Sequence, residues 1–255
     1  MKLISWNVNG LRSAEVEFIK FINDQQPDVI MIQELRAEPN QLSMFLCQIP
    51  DYKKFFNPSG RSGYGGTVLY YKGDLPIENP TNITGEQNLD AEGRTIQFNM
   101  GKTIFLNFYV PNGSDLGPRL KYKLDFCKSI IKYTKSLLEK NYSVIIGADM
   151  NIAHTEIDLY SPKTNQKSSG FLPACRKIFT ELLEVGFVDS FRYFNKGGGF
   201  YTWWSFRDPK RKLNQGWRYD YFLVSDNLIT KIKRTAILKE VFGSDHCPIL
   251  LEIEI

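Results

Sequence analysis

The chain of 255 residues carries 32 lysine and arginine residues against 28 aspartate and glutamate residues, a formal net charge of +4. Hydrophobic residues make up 42% and charged residues 24% of the sequence, as in folded globular proteins. This composition excludes a disordered chain, because the apolar surface offsets the entropy lost on ordering. The longest strongly apolar runs, at residues 29–32 and 144–146, are far shorter than the roughly 18 residues of a membrane span.

The same features suggest a cellular setting. The apolar run at the N-terminus is broken before a signal-peptide core forms, so we expect a cytoplasmic protein. The four cysteines lack the close spacing of zinc ligands and are expected to be reduced thiols. The mildly basic charge permits a polyanionic partner without requiring one. Because no linker divides the sequence, we expect a single domain over residues 1–255.

Short strands alternate with a few helices along the chain. Compact apolar runs predict buried strands at residues 3–8 and 28–32, with a helix over residues 14–23 between them. Helical spacing of apolar residues predicts further helices over residues 121–140 and 176–185. Runs of β-branched and aromatic residues predict further strands at residues 67–71, 94–99, 103–109, 143–146, 200–204, 219–224 and 249–255. The mixture predicts an α/β sandwich.

Polar residues cluster where the predicted strands end or begin. They are Asn7, Asn9, Gln33, Glu34, Tyr109, Asn112, Asp149, Asn151, Asp220, Ser244, Asp245 and His246. A single aspartate or asparagine at such a position is usually a turn or cap residue. Because rigid strands position the loops at one rim of a sheet, the combination predicts an active site there.

These side chains suit metal-assisted attack of water on a phosphodiester. Glu34 supplies a hard oxygen ligand for Mg²⁺, with help from Asn7. Asp149 is the candidate for the base that orients and deprotonates the water. Charge that develops on the phosphate needs donors. The candidate donors are Tyr109, Asn112, Asn151 and His246. Asp220 could hold one tautomer of His246 and keep it cationic.

Other hydrolase patterns are absent from the sequence. There is neither a G-x-S-x-G nucleophile elbow nor a G-x-x-x-x-G-K-[ST] phosphate-binding loop. Of the two histidines, His154 is expected to be a structural residue at the turn after Asn151. His246 follows Ser244 and Asp245 at the entrance to a strand, which favours a functional role.

Ordered motifs along essentially the whole chain resemble one family. They are SWNVNGLR (5–12), PDVIMIQE (27–34), YVPNG (109–113), DMNIAH (149–154), IDL (157–159), SGFLP (169–173), VDSFR (188–192), YTWW (201–204), GWRYDY (216–221) and GSDHCP (243–248). On these motifs the sequence closely resembles the exonuclease III-type apurinic/apyrimidinic (AP) endonucleases, within the endonuclease/exonuclease/phosphatase superfamily.

The resemblance implies a fold and an activity. The fold is a four-layer α/β sandwich, in which two packed mixed β-sheets are flanked by helices. The activity is Mg²⁺-dependent hydrolysis of the phosphodiester 5′ to an abasic site, which leaves 3′-OH and 5′-deoxyribose phosphate ends. Some 3′-to-5′ exonuclease or 3′-repair activity is also implied, with Mn²⁺ as a possible substitute metal. The expected partner is double-stranded DNA containing abasic sites, bound by a monomer without a membrane or an obligate protein partner.

The resemblance also assigns residues by position. The implied catalytic residues are Tyr109, Asp149, Asn151, Asp220 and His246. The implied groups at or near the metal are Asn7, Glu34, Asp149, Asn151, Asp245 and His246. The implied substrate or DNA contacts are Asn112, Arg119, Trp203, Arg207, Trp217 and Tyr219, of which Trp203, Trp217 and Tyr219 would wall the pocket for the flipped abasic sugar.

Three positions depart from the family pattern. Arg36 stands in place of the usual lysine of Q-E-x-K, and its planar fork changes the contact it can make. Gly147 lies one place early relative to the usual G-D-x-N. Tyr219 stands where an aliphatic residue is common.

Basic residues outside the motifs are mostly expected to be solvated surface charges. They are Arg61, Lys72, Arg119, Lys121, Lys123, Arg207, Lys210, Arg211 and Lys212. Residues 207–212 are the exception, because their position between Trp204 and Trp217 matches a family loop that enters the minor groove.

Two other functions remain open at this level. The same catalytic residues could serve a superfamily phosphoesterase that acts on a non-DNA phosphodiester or an inositol phosphate. A non-catalytic DNA-binding module is less favoured, because such a chain should have lost Glu34, Asp149 or His246, and none is lost.

Overall fold

The computed structural model describes residues 1–113, 117–206 and 210–255. The strands in these ranges are β1 (Lys2–Asn7), β2 (Val29–Gln33), β3 (Tyr52–Asn57), β4 (Thr67–Lys72), β5 (Glu78–Thr81), β6 (Thr95–Met100), β7 (Thr103–Tyr109), β8 (Ser143–Asp149), β9 (Phe187–Asp189), β10 (Asp220–Ser225), β11 (Ile232–Ile237) and β12 (Ile249–Ile253). The α-helices are α1 (Glu15–Gln25), α2 (Met44–Cys47), α3 (Gln87–Asp90), α4 (Pro118–Glu139), α5 (Pro173–Glu184) and α6 (Ser190–Phe194).

The strands form two mixed six-stranded sheets. The first sheet has the order β11-β12-β1-β2-β4-β3, and the second has the order β5-β6-β7-β8-β10-β9. A parallel pair lies at the centre of each sheet, β1 with β2 and β7 with β8. The described neighbours on either side of these pairs are antiparallel. The predicted fold class of two packed mixed sheets flanked by helices is confirmed.

Three apolar clusters separate four layers. One packs the outer face of the first sheet against α1, and another packs the outer face of the second sheet against α4 and α5. The third lies between the sheets, where Leu3 of β1 and Ile145 of β8 contribute side chains. Because side chains alternate across a strand, Asn7 and Asp149 face the same inter-sheet space as Leu3 and Ile145. The polar ends of β1 and β8 are therefore directed between the sheets.

A buried polar network lies one layer deeper than these strand ends. Gln33 Nε2 donates to Ser5 Oγ at 3.0 Å and to Asn107 Oδ1 at 2.8 Å. Asn107 Nδ2 in turn donates to the backbone carbonyls of Ile32 and Val68. The network joins the parallel pair of the first sheet to β7 of the second, and it fixes their relative position beneath the rim.

The predicted strand at residues 200–204 is wrong. Trp203 forms isolated bridges to Trp217 and to His246 instead of a ladder with one neighbouring strand. Its backbone N–H and carbonyl pair with Trp217, whereas the N–H of Trp204 donates to the carbonyl of Asp245. Because successive residues bond to two different loops, no regular strand forms. The structure also adds β3, β5, β9 and β11, which the sequence patterns did not predict.

Two other expectations can be compared with the structure. All four cysteines are unpaired, as expected for reduced thiols. Each helix in the described ranges is too short or too polar to cross a membrane.

Gly147 lies where the second sheet packs tightly against the first, below the site. A Cβ atom at this position would lie 2.6 Å from Met31 Sδ and 2.9 Å from Phe222 Cε1. The glycine before the Ala148–Asp149 pair therefore reflects packing between the sheets rather than a turn.

We predict that Gly147→Ala lowers the free energy of unfolding by about 1–3 kcal/mol, because the methyl group overpacks this contact. Denaturant unfolding measures the change. Gly197→Ala is the matched control, because a Cβ atom there meets only Phe200 Cε2 at 4.0 Å. An equal loss in both variants would contradict the packing explanation.

Candidate active site

Four side chains from the two sheets meet at the rim. Asn7 Nδ2 donates to Glu34 Oε1 at 2.9 Å and to Asp149 Oδ2 at 2.8 Å. The Tyr109 hydroxyl donates to Glu34 Oε1 at 2.7 Å. Glu34 and Asn151 follow β2 and β8 in the left-handed conformation, with φ of 58° and 51°, and this turns each chain sharply at the end of its strand. One amide therefore ties together the two carboxylates that the sequence placed on separate strands.

Asp149 is buried and fully hydrogen-bonded. Its Oδ1 accepts from the backbone N–H of Asn151 at 2.9 Å, and its Oδ2 accepts from the amides of Asn7 and Asn151. Burial raises the pKa of Asp149 to about 7, although the nearby His246 opposes this shift. A carboxylate with a pKa near neutrality can accept a proton from water and release it again at the working pH.

Asp220 and His246 form a buried pair beside Asp149. His246 Nδ1 and Asp220 Oδ2 are 2.8 Å apart, and His246 Nε2 lies 4.0 Å from Asp149 Oδ2. Burial alone would lower the pKa of His246, but the carboxylates of Asp220 and Asp149 outweigh it and raise the pKa to about 10. The imidazole is therefore cationic at neutral pH, with Nδ1 bonded to Asp220 and Nε2 directed toward Asp149.

The loop before β12 is held to the first sheet from both sides. Ser244 Oγ donates to the backbone carbonyl of Asn7 at 2.8 Å and accepts from the N–H of His246 at 3.1 Å. Trp6 Nε1 donates to the carbonyl of His246 at 3.3 Å. These contacts fix the imidazole relative to β1, which carries Asn7.

A cleft of about 820 Å³ opens above these residues. Glu34, Asn112, Asn151, Asp245 and His246 line its polar part. Its aromatic wall is a row of three side chains, in which Tyr219 lies 5.5 Å from both Trp203 and Trp217. The Trp203 indole donates to Asp245 Oδ2 at 2.9 Å, which couples the wall to the polar part.

Arg119 and Arg207 are the remaining predicted contact residues. Arg119 lies beside the cleft rather than in it, in a smaller hollow of about 240 Å³ that it lines with Asn112 and Tyr109. Its guanidinium contacts the Tyr64 hydroxyl and Glu92. Arg207 lies outside the described residues, so the prediction for it stays a prediction.

Two of the basic residues expected at the surface or facing DNA donate hydrogen bonds to backbone carbonyls of the protein. Lys123 is fully buried, and its Nζ donates to the carbonyls of Asn151 at 2.7 Å and Ser169 at 3.2 Å. Arg211 lies against the rings of Trp204 and Phe242 and donates to the carbonyl of Ser244. The expectation of a solvated charge was wrong for Lys123, because its donors hold the loops of the site. For the half-buried Arg211, the predicted position in a loop that faces DNA stays a prediction.

Sequence reasoning missed two further supports. The guanidinium of Arg94 lies 4.7 Å from the centroid of the Tyr109 ring and donates to the Tyr109 carbonyl. Thr202 Oγ1 accepts from the backbone N–H groups of Tyr219 and Asp220 at 3.0 and 3.1 Å. An arginine at the start of an otherwise apolar strand was a usable signal for Arg94, whereas nothing in the sequence marked Thr202.

The carboxylate oxygens at the rim are suitable ligands for a hard divalent cation. Glu34 Oε2 is buried and has no hydrogen bond among the described residues, although it forms an ion pair with Arg36. A carboxylate oxygen of this kind is a hard ligand that suits Mg²⁺. Asp149, Asp220 and His246 also place ligand atoms within 4.8 Å of one another. That cluster is the weaker metal site, because a cationic imidazole bonded to Asp220 cannot ligate.

The fold and the site define a hydrolase whose active centre lies at the edge of two packed sheets. The chain belongs to the Endonuclease/Exonuclease/phosphatase family, whose pattern matches residues 4–246. It is 38% identical over 258 residues to an exodeoxyribonuclease of Bacillus subtilis (strain 168), with both chains covered in full. It is also 38% identical to a DNA-(apurinic or apyrimidinic site) endonuclease of Dictyostelium discoideum, covering 100% of this chain and 71% of that protein.

Solved structures show the same fold. An AP endonuclease from Archaeoglobus fulgidus matches over 100% of both chains with a TM-score of 0.89 and 24% identity. The AP endonuclease LMAP from Leishmania major matches over 100% of this chain and 87% of that chain, with a TM-score of 0.84 and 26% identity. The predictions of this family, of its fold class and of a hydrolytic nuclease are confirmed.

We predict that the two histidines titrate far apart in a metal-free NMR experiment. His246 should stay protonated until the pH approaches 10, whereas burial lowers the pKa of His154 below its ordinary 6.5. Because the folded pKa of His246 is raised, its protonation stabilises the fold fully below about pH 6.5 and the contribution is lost as the pH rises toward 10.

Asp220→Asn should lower the pKa of His246 by roughly 1–3, because the variant removes the carboxylate bonded to Nδ1. His154→Gln assigns the two signals and should leave the His246 titration in place. A His246 signal that titrates near 6.5 in the wild type would contradict the buried ion pair.

Proposed function

We propose that the protein is a Mg²⁺-dependent DNA-repair nuclease that hydrolyses the phosphodiester 5′ to an abasic site. Residues 1–255 act as one catalytic domain, and the enzyme works as a monomer on double-stranded DNA. The observation that carries the proposal is the Asp149–His246–Asp220 arrangement at the base of a cleft with an aromatic wall. The names of the Bacillus and Dictyostelium relatives support DNA as the substrate.

Asp149 is the base in this mechanism. Its carboxylate is held by Asn7 and Asn151, so its orientation is fixed before substrate arrives. With a pKa of about 7, it accepts the proton of the attacking water without being locked in either protonation state. The water oxygen bonds to phosphorus and the P–O3′ bond breaks. The released 3′-oxygen takes up a proton from solvent, which gives a 3′-OH and a 5′-deoxyribose phosphate end.

His246 and its neighbours stabilise the charge on the phosphate. Nε2 of the imidazolium makes no hydrogen bond within the described ranges and donates to a non-bridging phosphate oxygen, while Asp220 retains the proton on Nδ1. Asn112, which lines the same cleft, supplies an amide donor, whereas both amide hydrogens of Asn151 are already donated to Val110 and Asp149. The pKa of Tyr109 is raised well above 10 by burial and by Glu34, so its hydroxyl stays protonated and holds Glu34 in place through its hydrogen bond to Oε1.

A divalent cation completes the charge balance of the site. Glu34 is the principal residue that would hold the cation, with Asn7 and Asp245 close by. When bound, the cation would supply Lewis acidity toward the phosphate. Arg36 forms an ion pair with the same Glu34 Oε2 and would be a neighbour of a cation held there.

The row of Trp203, Tyr219 and Trp217 walls the space for an extruded sugar. A bulky wall favours a residue without a base, which costs less to take out of the stack than a paired nucleotide. An inositol phosphate is polar on all sides and gains little from an aromatic wall. The wall therefore favours DNA over the other phosphoesters as the substrate.

We predict that the protein nicks an end-labelled duplex with one tetrahydrofuran abasic analogue, once and on its 5′ side, with Mg²⁺ but not with EDTA. Asp149→Asn and His246→Ala should each slow single-turnover cleavage by about 10²–10⁴-fold, because each removes a proton-transfer or charge-stabilising group. Asp226→Asn, an exposed carboxylate at the opposite end of β10, is the matched control and should cleave like the wild type.

Failure of the wild type to cut abasic duplex, combined with release of phosphate from an inositol phosphate, would overturn the proposed substrate. Equal rates in the wild type and both site variants would overturn the proposed residues.

We predict that Glu34→Gln weakens Mn²⁺ binding at least tenfold, because it removes the charged ligand from the rim. Electron paramagnetic resonance of free Mn²⁺ measures this without DNA. Glu181→Gln, an exposed glutamate on α5 that pairs with Lys177, is the control and should bind as the wild type does. Unchanged Mn²⁺ affinity in Glu34→Gln would place the cation on other residues.

A further inference from the structure

A small cavity lies behind Asp220, on the side away from the cleft. It is lined by α6, by β10 and by strands β11 and β12 of the other sheet. Its volume is about 10 Å³, close to the space that one buried water molecule needs. Asp220, Arg218 and Thr235 are its polar lining residues of interest, and the remaining lining is mostly apolar.

Each of these three residues carries a buried polar atom with no hydrogen-bond partner among the described residues. The atoms are Asp220 Oδ1, Arg218 Nη1 and Thr235 Oγ1. Asp220 and Arg218 are only 2% and 1% exposed, so water from outside does not reach them freely. A buried polar atom left without a partner destabilises the fold, and three such atoms on residues that line one cavity indicate a shared partner.

The other atoms of the two charged residues are already occupied. Asp220 Oδ2 is bonded to His246 Nδ1 at 2.8 Å. Arg218 Nε donates to Asp158 Oδ1 at 2.7 Å, and Arg218 Nη2 donates to Asp189 Oδ2 at 2.7 Å. The two groups therefore have one oxygen and one nitrogen left, and both belong to residues that line the cavity.

We propose that an ordered water molecule occupies this cavity and joins Asp220 Oδ1 to Arg218 Nη1 and Thr235 Oγ1. The water accepts a hydrogen bond from Arg218 and donates one to Asp220, and the threonine hydroxyl takes a third. Three partners are the usual number for a buried water. Arg218 and Thr235 are then positioning residues for the Asp220–His246 pair.

The water fixes the second oxygen of the Asp220 carboxylate. With only Oδ2 bonded, the carboxylate could rotate about its Cβ–Cγ bond and carry the imidazole with it. With both oxygens bonded, its plane is set by Arg218, whose guanidinium is itself held by Asp158 and Asp189. This consequence for catalysis rests on the proposed function, whereas the water site does not.

A crystal structure at high resolution tests the site directly. We expect one electron-density peak within hydrogen-bond distance of Asp220 Oδ1, Arg218 Nη1 and Thr235 Oγ1. A wild-type map without density in the cavity overturns the proposal.

Thr235→Val tests the site in solution without disturbing the buried ion pairs of Arg218. The variant removes one partner of the water and should lower the melting temperature by a few degrees. Thr95→Val is the matched control, because Thr95 Oγ1 is also buried and unpartnered but does not line the cavity. That variant should match the wild type or melt higher. Equal changes in the two variants overturn the proposal.

Steady-state cleavage of abasic duplex tests the positioning role. Thr235→Val should lower kcat about threefold to tenfold and leave KM unchanged, since the cleft itself is intact. Thr235→Ser keeps the hydroxyl and should restore kcat, and failure to restore it contradicts the role. If the wild type does not cut this substrate, the proposed function fails, while the density and the melting temperatures still decide the water site.

Discussion

The site depends on the electrostatic attraction among two carboxylates and one imidazole that are all buried. Asp220 holds the imidazole of His246 on one side, and Asp149 faces it on the other at 4.0 Å. Removing either carboxylate would leave a buried cation with too little compensation, which is costly in a protein interior. The imidazolium of His246 in turn prevents the pKa of Asp149 from rising further. The protonation states of Asp149 and His246 therefore depend on each other.

That arrangement is possible because the two sheets meet as they do. Parallel pairs at the centre of each sheet bring the carboxyl ends of β1, β2, β7 and β8 to a common rim. Strand alternation then turns the last inward-facing side chains of β1 and β8 toward each other, and these are Asn7 and Asp149. Beneath them, Gln33 donates a hydrogen bond to Asn107 of the other sheet. This bond supports the rim and lies between the rim and the apolar core.

Strand periodicity and strand-end polarity were enough to predict the sandwich and the strand ends that carry the site. They placed Glu34 and Asp149 correctly at the rim, because Glu34 directly follows the buried strand β2 and Asp149 ends the buried strand β8. They failed where function comes from contacts between distant loops, as for Thr202, whose hydroxyl holds Tyr219 and Asp220. They also failed for Lys123, since a lysine among other lysines on a helix gives no sign of which one turns inward. The three residues of β9 are too few to show a period.

Trp203 has a consequence for how such an enzyme can change. Its indole bonds to Asp245 and its backbone forms bridges with both Trp217 and His246. One residue therefore joins the aromatic wall of the cleft to the loop that carries His246. We expect any change that moves Trp203 to move the imidazole as well. The shape of the cleft and the position of His246 are thus coupled, and a substitution that widens the wall would have to be compensated at His246.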